Sequence, residues 1–303
     1  MEWRRTIMIE AKKLTKYYGK SRGIIDIDLE IKKGEIFGFI GPNGAGKSTT
    51  IRLLLSLIRP TNGSAIIDDM DCFNESKKIK QILGYVPSEV NYYDGMRVMD
   101  LFDYSSKFYR KNCSARINIL SERLGLDTAK KINALSYGNK KKVAIIQALI
   151  HEPKVLIFDE PTSGLDPLVQ SEFFKILEEE KAKGTTILFS SHVLSEVQKV
   201  CDRIAIIKDG QILKIEQIES LRQNQFRQIE IYFKEKAEQS LYQDMPIKNL
   251  SEIGNALTFL YTGDIHKLLT KLAEDKGIEN ISIEEPSLED IFMHYYTERG
   301  NVK

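Results

Sequence analysis

The sequence contains little cysteine and no excess of either charge. Its three cysteines, Cys72, Cys113 and Cys201, are far apart in a chain of 303 residues and form no CxxC or Cys/His pair. A disulfide framework or a zinc site is therefore not indicated, and a reducing compartment such as the cytosol is expected. Lys and Arg total 44 and Asp and Glu total 43, so the net charge of +1 argues against general nucleic-acid binding.

Membrane-directed segments are also missing from the sequence. No apolar run approaches the roughly 18 residues that a membrane-spanning helix needs. The N-terminal stretch MEWRRTIMIE is too short and too charged to be typical of a signal peptide. We therefore expect a soluble chain that reaches a membrane only through a partner protein.

Strands that alternate with helices indicate an α/β fold up to about residue 224. Three short and almost continuously apolar runs are typical of buried strands, namely 35–40, 154–159 and 185–190. Three helical patterns predict a helical subdomain, about 90–150, inserted into a mainly parallel sheet: 97–109, 114–125 and 139–150. The segment 203–215 predicts a hairpin around Asp209-Gly210.

The pattern changes after residue 224, and we predict a small α+β domain over 225–303. Strands are predicted at 228–233, 257–262 and 279–284, and a helix at 264–276. A final helix is predicted from PSLEDIFMHYY, with Ser287 as its N-cap and Asp290 three residues later.

Residues 41–48, GPNGAGKS, match the pattern G-x-x-x-x-G-K-[ST] between a buried strand and a helix. Glycines let the backbone curl so that successive N–H groups face an anion, and the helix start adds a positive dipole. Lys47 would then contact the β- and γ-phosphates, and Ser48 would offer its hydroxyl to Mg²⁺. A glycine turn that merely joins the strand to the helix is the alternative. The predicted nucleotide-binding residues are Gly41, Pro42, Asn43, Gly44, Ala45, Gly46, Lys47, Ser48 and Thr49.

The segment VLIFDEPTSGLDP, 155–167, is an apolar strand that ends in two carboxylates. Successive residues at a strand end point in different directions. Asp159 can therefore face Mg²⁺ through water, while Glu160 faces an attacking water as general base. The alternative is a pair of acidic residues that only solvates the strand end.

The segments GPNGAGKST, LSYGN, VLIFDEPTSGLDP and SSHVLSE, in this order, resemble the ATP-binding subunit of an ABC transporter. The resemblance covers residues 7 to about 220 and implies an ATP-binding cassette over 7–224. It implies a P-loop NTPase fold with a mainly parallel core sheet, an antiparallel β subdomain and the inserted helical subdomain. In that family two cassettes face each other head to tail, each ATP lying between them with Mg²⁺.

LSYGN is similar to the family's signature sequence, which closes over the ATP of the opposite cassette. The resemblance implies that Ser136 donates its hydroxyl to the γ-phosphate and that Gly138 permits close backbone approach. Tyr137 and Asn139 depart from the commonest pattern. The lysines at 140–142 follow on the helix, and we interpret them as a solvated basic face rather than a phosphate or nucleic-acid contact.

Three further positions take roles from the resemblance. His192 matches the switch histidine that hydrogen-bonds the γ-phosphate, and a strand-end loop is where ligands of such sheets lie. Tyr18 matches the aromatic that stacks on adenine, with Tyr17 as the competing choice. Asp166 matches a loop that touches the partner cassette, and it also reads as a helix N-cap before Pro167.

LGYVPSEV, 83–90, departs from the family at the position of a glutamine whose carbonyl contacts Mg²⁺. Ser88 stands there and is followed by Glu89. A serine hydroxyl is shorter and would reach the metal through a bridging water, or Glu89 would substitute if the loop shifts by one residue. Ser88 is thus a candidate metal contact on which ATP binding is not expected to depend.

The predicted function is ATP hydrolysis that energises export through a separate transmembrane permease, by ATP-driven closure of two cassettes at the cytoplasmic face of the cell membrane. The partner cassette is a second copy or a paralogue. Export is inferred from the phosphate-loop branch and from IEEPSLEDIF, similar to the ending of single-cassette exporters for drugs, bacteriocins and lipids. An ordinary packed helix also explains its apolar face of Leu288, Ile291 and Phe292.

Two other function classes are less well supported by the sequence. A soluble ABC ATPase of translation or DNA repair would show two cassettes, a long coiled coil or zinc inserts, and the sequence has none. A nucleotide-binding protein without catalysis is disfavoured because Lys47, Asp159, Glu160 and His192 are all present.

Overall fold

The chain divides into two compact units, Met1–Gln217 and Ile218–Lys303. This division lies a few residues before the boundary at 224 that the sequence indicated. The computed structural model describes residues 6–92, 95–223, 227–235, 245–261, 263–274 and 277–284.

The strands of the first unit form two sheets with different patterns of pairing. Their bounds are β1 Ile7–Tyr18, β2 Ser21–Lys32, β3 Ile36–Ile40, β4 Asn62–Ile67, β5 Met70–Asp71, β6 Leu83–Val86, β7 Val155–Asp159, β8 Thr186–Ser191, β9 Arg203–Lys208 and β10 Gln211–Gln217. The helices are α1 Lys47–Leu54, α2 Ser76–Ile82, α3 Val98–Tyr109, α4 Ser114–Arg123, α5 Tyr137–Leu149, α6 Pro167–Ala182 and α7 Leu194–Val200.

The core sheet has six strands in the order β10-β9-β3-β8-β7-β6. The five strands from β9 to β6 pair in parallel, and β10 pairs with β9 antiparallel. Every residue of β3, β7 and β8 is buried, which explains their continuous apolar sequence. The parallel arrangement places the carboxyl ends of these strands at one edge, where ligand sites of such sheets are found.

The second sheet is antiparallel, with the order β2-β1-β4-β5. Alternate residues along β2 are buried, as expected of a strand with one face on the core. Ile9 and Leu29 of this sheet belong to the same apolar cluster as Phe37 and Val155 of the core sheet and Ile51 of α1. The phosphate-loop helix is thus packed into a core that both sheets share.

The predicted helical insertion is present as α3, α4 and α5. At the base of this insertion, Arg97 and Lys131 form an isolated antiparallel β-bridge. Next to it, the N–H of Val98 donates to the carbonyl of Lys130. A short 3₁₀ turn at Ile132–Ala134 leads into α5. Most of α5 is buried, so this helix forms the centre of the insertion.

The second unit contains α8 Ile218–Gln223, β11 Arg227–Phe233, β12 Ile247–Ile253, β13 Ala256–Tyr261, α9 Ile265–Glu274 and β14 Ile278–Glu284. Its sheet is antiparallel in the order β12-β13-β11-β14. Leu268 and Leu272 of α9 share one apolar cluster with Ile229 and Phe259 of the sheet. β12 was not predicted, and the helix predicted from Ser287, with Asp290, Leu288, Ile291 and Phe292, lies outside the described residues.

Candidate active site

The glycine-rich turn between β3 and α1 has a backbone that only glycine tolerates. Gly44 has φ of 78°, and Gly46 has φ of 114° immediately before α1. At Gly41 a Cβ atom would lie 2.2 Å from the carbonyl oxygen of Ile207, so a side chain there is excluded. The β9–β10 hairpin also holds the turn, because the N–H of Gly210 donates to the carbonyl of Ala45 at 2.9 Å.

Lys47 is the first residue of α1, and its side chain lies over this turn. Its Nζ donates to the carbonyls of Gly41 at 2.6 Å and Pro42 at 3.2 Å. The same Nζ is 3.5 Å from Oε1 of Glu160, and the Lys47 side chain is only 5% exposed. A buried positive charge therefore stands between the glycine turn and the predicted general base.

Asp159 and Glu160, at the end of β7, have different partners. Asp159 is buried and its Oδ1 accepts a hydrogen bond from Ser190 Oγ at 2.8 Å. Glu160 has φ of 49°, a left-handed conformation that is uncommon for a residue with a side chain. Its N–H donates to the carbonyl of Ser190 at 3.2 Å, which ties this strained residue to β8.

His192 follows β8 directly and completes the cluster. Its Nδ1 is 3.2 Å from Oε2 of Glu160, and its side chain is about half exposed. Ser191 fixes the turn, because its Oγ donates to Glu196 Oε2 at 2.7 Å and accepts from the N–H of Val193 at 2.9 Å. The structure thus brings the three predicted catalytic side chains together around the Glu160 carboxylate.

The signature segment forms the N-terminus of α5. Ser136 is the N-cap, and its Oγ accepts from the N–H of Asn139 at 3.4 Å. This contact uses a lone pair of the hydroxyl, so the O–H is still able to donate. Gly138 packs against the loop before α6, since a Cβ atom there would lie 2.4 Å from the carbonyl oxygen of Gly164.

Asp166 caps α6, as one of its two predicted roles requires. Its Oδ1 accepts from the N–H of Val169 at 3.0 Å, and Pro167 occupies the first helical position. Both Asp166 and Ser136 are exposed, so two helix starts are open to solvent on the described surface.

Tyr17 and Tyr18 end β1 and are both exposed. The Tyr18 ring lies beside Gly23, where an added Cβ atom would come within 3.0 Å of it, and the Gly23 carbonyl and the Ile24 side chain lie beside Gly46 of the turn. The backbone N–H of Tyr17 instead donates to Thr61 Oγ1 at 3.0 Å. Stacking of adenine on Tyr18 stays a prediction, with Tyr17 as the alternative.

The interpretation of the lysines at 140–142 as a solvated face is wrong for Lys141. This side chain has 0% exposure, and its Nζ donates to the carbonyls of Pro87, Ser88 and Glu160. Burial lowers the pKa of Lys141, and the nearby carboxylates of Asp159 and Glu160 oppose that change. The helical spacing could have predicted this burial, because Lys141 shares a face of α5 with the buried Ile145 and Ala148.

Ser88 lies just after β6, and its backbone carbonyl accepts two hydrogen bonds. The Ser88 carbonyl accepts from Lys141 Nζ at 2.7 Å and from the Tyr137 hydroxyl at 3.3 Å. Its role as a contact to the metal stays a prediction.

Two family models and several known proteins are similar to this chain. The family model described as "ABC transporter" matches residues 24–163, and that of the C-terminal domain of DrrA1-3-like ATP-binding proteins matches 214–296. The bacitracin transport ATP-binding protein BcrA of Bacillus licheniformis is 32% identical over 94% of this chain and 96% of its own. The linearmycin resistance ATP-binding protein LnrL of Bacillus subtilis (strain 168) is 36% identical over 69% of this chain and 68% of its own.

Solved structures of ATP-binding cassettes share the fold of the first unit. The ATP-binding subunit of an ABC transporter superimposes with a TM-score of 0.68 at 28% identity, covering 71% of this chain and 92% of that structure. A dimeric ATP-binding cassette in a post-hydrolysis state with ADP and Pi has a TM-score of 0.64 at 26% identity, covering 70% and 99%.

The fold and the family match define a nucleotide-hydrolysing cassette of the P-loop class, as predicted. The chain belongs to the ABC transporter family, in which it is an ATP-binding subunit with a DrrA-like C-terminal domain. It binds nucleotide and is an ATPase that energises transport, and the soluble non-transport alternative is not favoured. In the described part of the chain, no helix has the length and apolar character needed to span a bilayer.

Proposed function

We propose that two cassettes, this chain with a second copy or a paralogue, close over two Mg·ATP and drive export through a separate permease. The observation that carries this proposal is the convergence on Glu160, whose carboxylate lies 3.5 Å from Lys47 Nζ and 3.2 Å from His192 Nδ1. Phosphoryl transfer needs positioning and charge stabilisation more than covalent chemistry, and this cluster supplies both.

The glycine turn and Lys47 hold the phosphates of ATP. Backbone N–H groups of the turn and the positive end of α1 face the triphosphate, while Lys47 adds a full charge. Ser48 would hold Mg²⁺ through its hydroxyl and Asp159 through a water molecule, since oxygen groups and water are what this ion takes in proteins. Mg²⁺, when bound, neutralises negative charge on the phosphate oxygens.

Glu160 accepts the proton of the attacking water. Its carboxylate is oriented from two sides, by Lys47 and by His192, so it does not depend on a single contact. His192 also reaches the γ-phosphate, because its exposed imidazole adjoins the base at the carboxyl edge of the sheet.

The second half of each ATP site comes from the opposite cassette. Ser136 and Gly138 present the N-terminus of α5, and Ser136 keeps a hydroxyl proton for a phosphate oxygen. Asp166 and the start of α6 contact the same partner. The adenine of the nucleotide stacks on Tyr18, which is exposed and whose ring lies beside Gly23.

The permease docks beside the segment that follows β6. A groove of about 380 Å³ lies there, and its lining includes Tyr85, Pro87, Tyr104 and Phe108. Tyr104 and Phe108 are 53% and 63% exposed, which is high for large aromatic side chains and supports a protein partner. Docking at this groove places the chain on the cytoplasmic face of the membrane.

The exported compound is of the antibiotic or drug class. This part of the proposal is supported by two relatives, one named for bacitracin transport and the other for linearmycin resistance. The permease sets the exact substrate, and the cassette supplies the free energy.

Glu160→Gln tests the proposal, because it removes the base while keeping the size of the side chain. We expect kcat for ATP hydrolysis to fall about 100-fold or more, since general base catalysis contributes factors of this size. The variant should still bind ATP. In the presence of ATP it should elute as a dimer in size-exclusion chromatography. Glu178→Gln, an exposed change on α6, is the matched control and should leave kcat unchanged. Parental hydrolysis by Glu160→Gln would contradict the assigned mechanism.

A further inference from the structure

A buried ammonium group joins three parts of the cassette. Lys141 Nζ donates to the carbonyl of Ser88 at 2.7 Å, to that of Pro87 at 3.1 Å and to that of Glu160 at 3.3 Å. The first two carbonyls follow β6, and the third follows β7. A lysine ammonium has three N–H donors, and the three carbonyls match that number.

This arrangement is costly in free energy, which indicates a role beyond packing. Removing an ammonium group from water is unfavourable unless hydrogen bonds and charges replace the solvent. Carbonyl oxygens replace the hydrogen bonds, and the carboxylates of Asp159 and Glu160 supply opposite charge nearby. A methionine of similar length would fill the same space without burying a charge, but it would leave the three carbonyls without this donor.

The contact to Glu160 acts on the backbone of the predicted base. Glu160 has a strained φ of 49°, and its N–H is held by the carbonyl of Ser190. Lys141 holds the carbonyl of the same residue. Both peptide groups of Glu160 are therefore fixed, and its carboxylate projects toward Lys47 and His192.

The contact to Ser88 extends this network to the start of α5. Tyr137 is one turn before Lys141, its ring lies 5.9 Å from the ammonium, and its hydroxyl also donates to the Ser88 carbonyl. Ser136 and Gly138 flank Tyr137 at the N-terminus of the helix. The groups predicted to reach the opposite ATP are thus connected to the segment beside the proposed permease groove.

We propose that Lys141 is a positioning residue for ATP hydrolysis, which fixes Glu160 and the segment of Ser88 to the N-terminus of α5. The inference rests on the proposed role of Glu160 as the base. Lys141 acts through the backbone and does not touch the nucleotide. Its loss should therefore lower kcat and leave the KM for ATP nearly unchanged.

Lys141→Met in the full chain tests this inference. We expect kcat to fall about 10- to 100-fold, since small misplacements of a reacting group have effects of this size. The KM for ATP should stay within about threefold of the parent. Lys140→Met and Lys142→Met are matched controls on the same helix, half-buried rather than enclosed, and should keep kcat within about twofold.

A second variant covers the case in which Lys141→Met does not fold, as judged by thermal unfolding and ATP binding. Lys141→Gln has an amide that still donates two hydrogen bonds. We expect its kcat to fall below that of the parent, by less than the 10- to 100-fold expected for Lys141→Met. A folded variant with parental kcat, or an equal loss in the Lys140→Met control, would overturn the inference.

A double variant separates this inference from the assignment of Glu160. If Lys141 acts through the Glu160 carboxylate, Lys141→Met should change the residual kcat of Glu160→Gln by less than about twofold. Losses that multiply would show another route and reject the inference. If Glu160→Gln alone keeps parental kcat, the proposed mechanism fails, whatever Lys141→Met does.

Discussion

At the scale of single residues, Glu160 is held by backbone groups as well as by side chains. Its N–H and its carbonyl each have a partner, Ser190 and Lys141, while its carboxylate faces Lys47 and His192. Such complete restraint keeps a left-handed residue in place and fixes the direction of its side chain.

The buried residue His151 makes the free energy of unfolding depend on pH. Its ring stacks on Tyr109 with centroids 3.6 Å apart, and burial lowers its pKa to about 4. The ordinary value in an unfolded chain is about 6.5. Between these two values the unfolded state binds more protons, so stability is complete above pH 6.5 and is lost as pH falls toward 4.

We therefore expect the parent to lose on the order of 1–2 kcal/mol of unfolding free energy between pH 7.5 and pH 5 through His151. Urea unfolding at both pH values measures this loss. His151→Phe keeps an aromatic ring against Tyr109 and should reduce the pH dependence by that amount. The exposed His266→Gln is the control, and an unchanged pH dependence in His151→Phe would count against the assignment.

At the scale of elements, ion pairs between α4 and α6 attach the helical insertion to the core. Arg123 contacts Glu172 at 2.7 Å and Glu179 at 2.6 Å, and Arg116 pairs with the buried Glu180. Guanidinium groups suit this position because their planar donors bind carboxylates in a fixed geometry.

Arg123→Ala tests how much this attachment contributes to stability. We expect a loss of about 1 kcal/mol in the unfolding free energy, because the Arg123 side chain is 24% exposed and solvent screens its pairs. Urea unfolding is the measurement. Lys130→Ala, which removes an exposed pair with Asp127 at 3.8 Å, should change stability by no more than about 0.5 kcal/mol. A loss no larger than this control would refute the estimate.

Apolar runs and glycine motifs predicted the elements around the site, and weaker patterns were missed. The strands β3, β7 and β8 were evident because they are buried on both faces. β4 and β12 were not predicted, since NGSAII and IKNLSEI are short and mix polar with apolar residues. Lys141 was assigned to the surface by residue type, although its spacing with Ile145 and Ala148 indicated burial. Its partners could not be predicted, because they come from distant segments of the chain.

At the scale of the whole molecule, the proposal requires two chains for each ATP. Lys47 and Ser136 of one site then belong to different chains. A dimer of one chain altered at Lys47 and one altered at Ser136 therefore keeps one intact ATP site. The exposure of Ser136 supports such an arrangement.

Mixing the full-length chains Lys47→Met and Ser136→Arg provides the measurement. Each variant alone should hydrolyse ATP slowly, and the mixture should be clearly faster because mixed dimers contain one intact site. A chain with both changes, mixed with Lys47→Met, is the control and should give no recovery. Full activity of Ser136→Arg alone would show that one chain encloses the nucleotide.

The left-handed backbone of Glu160 sets stability and activity against each other. A glycine at this position would relieve strain of about 1–2 kcal/mol and would also delete the proton acceptor. Selection for stability alone would thus favour a variant that is more stable and binds nucleotide but does not hydrolyse it. The proposed proton acceptor is therefore present at a cost in stability.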